Sequence, residues 1–173
     1  MFKQVGLTLG LIGGLYFLPQ PAVAQSGKGI RQSMNCDSLK SIVIHQEMEF
    51  KGSPGRIYQV LLNEKQFSAF SADAGFPPNS AKIDSTIGGT FSLFGGHIIG
   101  RILELVPNQR IVEAWRVVDW PPGIYSIARF ELISKNTGTL VIFDHTGFPE
   151  GLKDHLALGW QLHYWDPISR FIQ

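Results

Sequence analysis

The chain has 173 residues, a formal net charge of +1 and 17% charged residues. So weak and mixed a charge excludes a general electrostatic attraction to nucleic acid or to an acidic polymer. A single cysteine, Cys36, cannot form an internal disulfide, so the fold must rest on its core, and 12% aromatic residues supply either a filled interior or a cavity with aromatic walls.

Residues 1–24 carry Lys3, an apolar run over 5–18, then Ala22-Val23-Ala24. This is the order of a secretory signal peptide, with cleavage expected near Ala24 and export to the periplasm or beyond. A retained anchor fits less well, because the run is shorter than a membrane-spanning helix and holds Gly6, Gly10, Gly13 and Gly14. A start at Met34 would instead leave a cytoplasmic domain. Residues 25–40 are polar and aperiodic, which predicts a flexible tether, and 41–173 have the length of one domain.

Residues 41–50 alternate, with Ile42, Ile44, Gln46, Met48 and Phe50 on one side and Val43, His45, Glu47 and Glu49 on the other, which predicts a strand with one wet face. Ser53-Pro54 is a helix start. Ile57, Val60, Leu61, Phe67 and Phe70 follow at helical spacing, as two short helices broken near Asn63. Residues 74–80 are a loop by composition. Short apolar runs at 91–94, 97–106, 110–118, 125–134 and 139–146 alternate with turn signals such as Gly88-Gly89, Gly95-Gly96 and Asn136-Thr137-Gly138, which predicts an antiparallel meander. Residues 152–171 place Leu156, Trp160, Tyr164 and Ile168 four apart, a long amphipathic helix. The order is an α+β pattern in which one long helix covers one face of a curved antiparallel sheet, and a cavity opens if the helix stands off.

Gly88-Gly89-Thr90-Phe91-Ser92-Leu93-Phe94-Gly95-Gly96-His97-Ile98-Ile99-Gly100, then Glu104-Leu105-Val106-Pro107, Ile111-Val112, Trp115-Arg116, Trp120-Pro121, Phe130, Gly138, Gly151, Gly159-Trp160 and Tyr164-Trp165 resemble the signature of the activators of heat-shock protein 90 ATPase, over about residues 44–168. The resemblance implies the helix-grip fold of the START-like, Bet v-like superfamily, many of whose members bind apolar small molecules between helix and sheet. In eukaryotic activators this domain follows a separate chaperone-docking domain. Here a signal-peptide pattern precedes it, and an exported chain does not meet a cytosolic ATP-driven chaperone, so fold is implied more directly than function.

The glycines of 88–100 precede strands and lack the Lys of a phosphate-binding loop, so they read as hairpin turns. No Gly-x-Ser-x-Gly elbow supplies a nucleophile. Asp144-His145, Asp154-His155 and His163 with Asp166 do not converge by spacing, so neither a metal nor another cofactor is expected. His145 is either a proton-transfer residue or a hydrogen-bonded structural histidine. Trp115 and Arg116 point to opposite faces: either the indole is covered and Arg116 is wet, or Arg116 is covered and paired to a carboxylate. Trp120-Pro121-Pro122 shapes a loop at the sheet edge or rims a cavity mouth. Phe67, Phe70, Phe91, Phe94, Trp115, Phe130, Phe143, His145, Trp160 and Tyr164 are the candidate cavity or core set. Three functions fit. The first is an exported, non-catalytic binder of an apolar or amphipathic small molecule. The second is a cyclase- or hydrolase-like enzyme with His145 and Arg116 converging in the cavity, and the third is a protein-binding role with the interior filled.

Overall fold

The computed structural model describes residues 43–173. The signal-peptide and tether expectations and Cys36 lie outside those residues. Strand β1 (Val43–Phe50) buries Ile44 and Phe50 and exposes His45, Glu47 and Glu49, as its alternation requires. Helix α1 (Pro54–Leu62) starts on Ser53, whose hydroxyl accepts from the Arg56 amide at 3.3 Å. Asn63 then acts twice. Its N–H closes α1 on the Gln59 carbonyl at 2.8 Å, and its side-chain oxygen accepts from the Lys65 and Gln66 amides, both at 3.1 Å, opening α2 (Glu64–Ala72). One residue that both ends and caps is the physical reason for two short helices in place of one.

The meander follows as β2 (Lys82–Ile83), β3 (Thr90–Leu93), β4 (Ile98–Val106), β5 (Arg110–Val117), β6 (Ser126–Lys135) and β7 (Gly138–Thr146). β2 is too short to show periodicity and was not expected. All seven strands form one antiparallel sheet in the order β1-β7-β6-β5-β4-β3-β2. β1 returns to pair with β7 because the two helices carry the chain across the face, while every later connection is a hairpin. At Gly100 on β4 the ring of Phe91 and the Ala114 carbonyl lie where a Cβ would stand, so only glycine fits that packing.

The long terminal helix is present and carries a change of pitch. It runs as α3 (Lys153–Trp160), a π turn (Gln161–Trp165) and α4 (Asp166–Phe171). A step of four residues overshoots an α-helical turn by about 40°, and the wider π turn undershoots it. The π turn therefore offsets the drift, and Leu156, Trp160, Tyr164 and Ile168 all stay buried. Trp160 and Trp165 pack on Phe143, with ring centroids 4.3 and 5.2 Å apart, and the core continues through Phe130, Ile111 and Val141. This is the helix-grip arrangement that the resemblance implied.

Candidate binding cavity

Between the sheet and the terminal helix lies a cavity of about 530 Å³, within the size of small-molecule sites. Phe76, Phe94, His97 and Ile98 line it, together with Trp115 and Val117 of β5. The helix supplies His155, Leu156, Leu158, Gly159 and Trp160 from α3, and Leu162, His163 and Tyr164 from the π turn. Leu158 and Leu162 are exposed, a cluster of apolar surface at the mouth.

Four of the ten candidate residues, Phe94, Trp115, Trp160 and Tyr164, line this space. Their rings are in mutual contact: Trp160 lies 4.1 Å from Tyr164 and 5.5 Å from Trp115, and Phe94 lies 5.2 Å from Tyr164. The other six are buried behind the wall. Phe67 and Phe70 pack 4.5 Å apart behind Phe94 and Tyr164, Phe130 and Phe143 pack on Trp160, and Phe91 covers Gly100.

His145 is fully buried. Ser126 donates its hydroxyl to the Trp115 carbonyl at 2.8 Å, so the 2.6 Å contact between His145 Nε2 and Ser126 Oγ needs the proton on Nε2. Nδ1 then accepts from the Trp160 indole N–H at 3.0 Å. Both nitrogens are engaged, and burial lowers the imidazole to about 3. The ring is therefore a neutral strut that holds Trp160 in place. Neighbouring Asp144 faces the other way and bonds His45 across the strand pair at 2.7 Å, so the Asp-His sequence does not form a dyad.

Neither expectation for Arg116 holds. Trp115 fills the covered face, yet Arg116 is not wet and has no carboxylate. Its guanidinium donates to the carbonyls of Val117 (3.2 Å), Val118 (3.1 Å) and Trp120, and lies over the Tyr125 ring at 5.5 Å. The loop after β5 folds back on the strand, closed by the Trp120 amide on the Val117 carbonyl at 3.1 Å, and its carbonyls take the place of a counter-ion. Trp120 packs on Trp115 at 5.6 Å and is not a cavity residue.

Four features went unread in the sequence. Glu113 shares a strand face with Ile111 and Trp115 and is buried with them, and burial raises its carboxyl to about 8, so it is protonated at neutral pH. Burial first, and then Glu113, hold the Tyr164 phenol well above its usual value, with Trp115 acting in the opposite direction. Phe94 sits at φ 53°, in the left-handed region that a bulky residue seldom occupies, followed by Gly95 and Gly96 at φ 69° and 97°. That turn aims the Phe94 ring into the wall, where it lies 4.5 Å from Phe76. Lastly, His97, His155 and His163 surround one cavity. Burial, then His97 and His155, lower the His163 imidazole. Among the described residues, no three His, Cys, Asp or Glu side chains stand close enough to hold a metal ion.

Among the described residues, His163 Nδ1 is buried without a hydrogen-bond partner, and Trp115 Nε1 and Tyr164 OH are buried facing each other beyond ordinary hydrogen-bond geometry. All three belong to the cavity wall. Residues 51–173 match the family described as Activator of Hsp90 ATPase homolog 1-like protein. The chain belongs to this family. In this Hsp90-activator-like family, the human activator of 90 kDa heat shock protein ATPase homolog 1 is 28% identical over 121 residues, covering 70% of this chain and 34% of the human protein. The crystal structure of an HSP90 activator from Plasmodium falciparum superposes with a TM-score of 0.67 at 26% identity, covering 73% of this chain and 93% of that one. The solution structure of an Aha1 dimer from Colwellia psychrerythraea shares the fold at a TM-score of 0.61 and 20% identity, covering 76% and 96%. The chain spans about a third to a half of the curated Hsp90-activator relatives from human and mouse.

Proposed function

We propose that this chain is an exported, non-catalytic binder of an apolar or amphipathic small molecule, held between the sheet and the terminal helix. The cavity of about 530 Å³ carries the reading: aromatic and aliphatic walls with a few polar side chains, His97, His155 and His163 among them, are the ordinary constitution of a small-molecule site. Export rests on the pattern of residues 1–24. The enzyme reading needed His145 and Arg116 to meet in the cavity. One is saturated behind Trp160 and the other is bound to loop carbonyls.

Gly159 tests the reading. It lies on the cavity wall in a helix, and a Cβ built there meets nothing within 4 Å. Gly159→Ala should raise stability by about 0.5–1 kcal/mol, because alanine loses less backbone freedom in a helix. Gly159→Phe should fill the space, so that the folded variant loses binding of the neutral apolar dye Nile red at least tenfold. Equal dye binding by Gly159→Phe and the parent chain would refute the cavity as the binding site.

Family membership favours a second reading, a protein partner. Relatives bear the name of Hsp90 ATPase activators, and the exposed Leu158 and Leu162 offer an apolar contact surface. A chain that stays free of small molecules and instead binds an Hsp90-type ATPase with micromolar or better affinity would establish it.

A further inference from the structure

We infer that the small molecule is an amphipathic organic anion: an apolar body in the aromatic cavity, and a carboxylate or similar acidic group among the imidazoles of His97, His155 and His163. This rests on the binding reading above and specifies its ligand. The ionisable side chains in the cavity wall are these three histidines and the Tyr164 phenol. Among the described residues, no Asp, Glu, Lys or Arg belongs to the wall. The lining therefore offers an anion imidazole N–H donors and sets no carboxylate against it. Glu113, whose effect is felt at the Tyr164 phenol, is buried with its carboxyl held uncharged at neutral pH, so it sets no negative charge against the lining.

The geometry agrees with the charge. His97 precedes β4, and His155 and His163 lie in α3 and the π turn of the terminal helix, so two separate parts of the chain carry one residue type to one space. In an unbroken α-helix, two residues eight apart are rotated by about 80° from each other. The π turn between His155 and His163 reduces that offset. His163 sits edge-on to Phe76 at 5.4 Å, and its Nδ1 is closed from solvent without a partner. After burial, His97 and His155 both hold the His163 imidazole down, so the three stand close enough for their charges to act on one another, and an acidic group placed among them would favour the protonated ring. The exposed Leu158 and Leu162 stand at the same mouth, where an amphiphile's apolar segment would cross them.

The test uses the full chain and three twelve-carbon probes at pH 6: dodecanoate, dodecanol and dodecyltrimethylammonium, each titrated against tryptophan fluorescence. Dodecanoate is expected to bind at least tenfold more tightly than the ammonium probe, with dodecanol between them. In His97→Gln/His155→Gln, with near-ultraviolet circular dichroism checking that the fold is kept, the carboxylate-to-ammonium ratio should fall to about one. Equal binding of anion and cation by the parent chain, or a ratio that survives the double substitution, overturns the head-group assignment while leaving a cavity binder in place. Failure of all three probes overturns the binding reading and this inference together.

Discussion

Trp160→Ala is expected to destabilise the domain by about 3–5 kcal/mol, read as a lower urea midpoint with little change in slope. The indole stands where sheet, helix and cavity meet, with Phe143 at 4.3 Å, Tyr164 at 4.1 Å, Trp115 at 5.5 Å and Trp165 at 5.7 Å. Its removal opens a void among rings that cannot all shift into it. It also takes the only donor from His145 Nδ1, leaving a buried acceptor without a partner. Trp160→Phe separates the two effects. It keeps most of the ring area and loses the N–H, so the smaller loss of about 1–3 kcal/mol reports the orphaned imidazole. If Trp160→Ala unfolds at the same urea concentration as the parent chain, the indole is not the keystone of this packing.

Stability should fall on both sides of a maximum between about pH 4.5 and 6.5, with two buried groups responsible for opposite limbs. His145 drops from 6.5 to about 3 on folding. Between those values the unfolded chain holds a proton that the folded chain lacks, so stability is lost as pH falls through that window. Glu113 rises from 4.5 to about 8. Between those values the folded chain holds the proton and the unfolded chain has released it, so stability is lost as pH rises. Each shift corresponds to on the order of a few kcal/mol at its full extent. Urea midpoints from pH 3 to 9 measure both limbs. Glu113→Gln keeps the shape without the ionisation and should flatten the alkaline limb alone. An alkaline limb unchanged in that variant would mean that Glu113 ionises freely in the folded protein.

Much of the architecture is legible before any coordinates, for local reasons. The alternation from Ile44 to Phe50 names the buried face of β1, Asn63 marks the break between the short helices, and paired glycines mark the hairpins. The site is less legible because its residues obey rules that act beyond one element. The series Leu156, Trp160, Tyr164, Ile168 advances strictly by four, which no ideal α-helix keeps on one face. That regularity was the available sign of the π turn, and an amphipathic helix absorbs it unnoticed. Glu113 had the right parity beside Ile111 and Trp115, but a carboxyl at an inward position contradicts the ordinary hydrophobic pattern. Phe94 reads as the last residue of a strand, whereas its ring reaches the cavity because the backbone turns left-handed there. His97 and the helix histidines are separated by more than fifty residues. Only the sheet order and the helix crossing bring them to one wall.

The expectation for Arg116 failed for a related reason. Strand parity placed it opposite Trp115, which holds, but parity says nothing of a loop that returns over the same face. Residues 118–120 supply carbonyl acceptors that reproduce the effect of a counter-ion. The charge is thereby spent on closing the loop after β5 and is unavailable to the cavity.

Native mass spectrometry of the chain purified from its own host, followed by extraction and identification of whatever it carries, tests the binding account most directly. A reproducible adduct of a single small molecule with an apolar body and an acidic group is expected, and Gly159→Phe purified in the same way should lack it. A chain that is reproducibly free of small molecules, and that takes up neither Nile red nor dodecanoate when they are added, would contradict it.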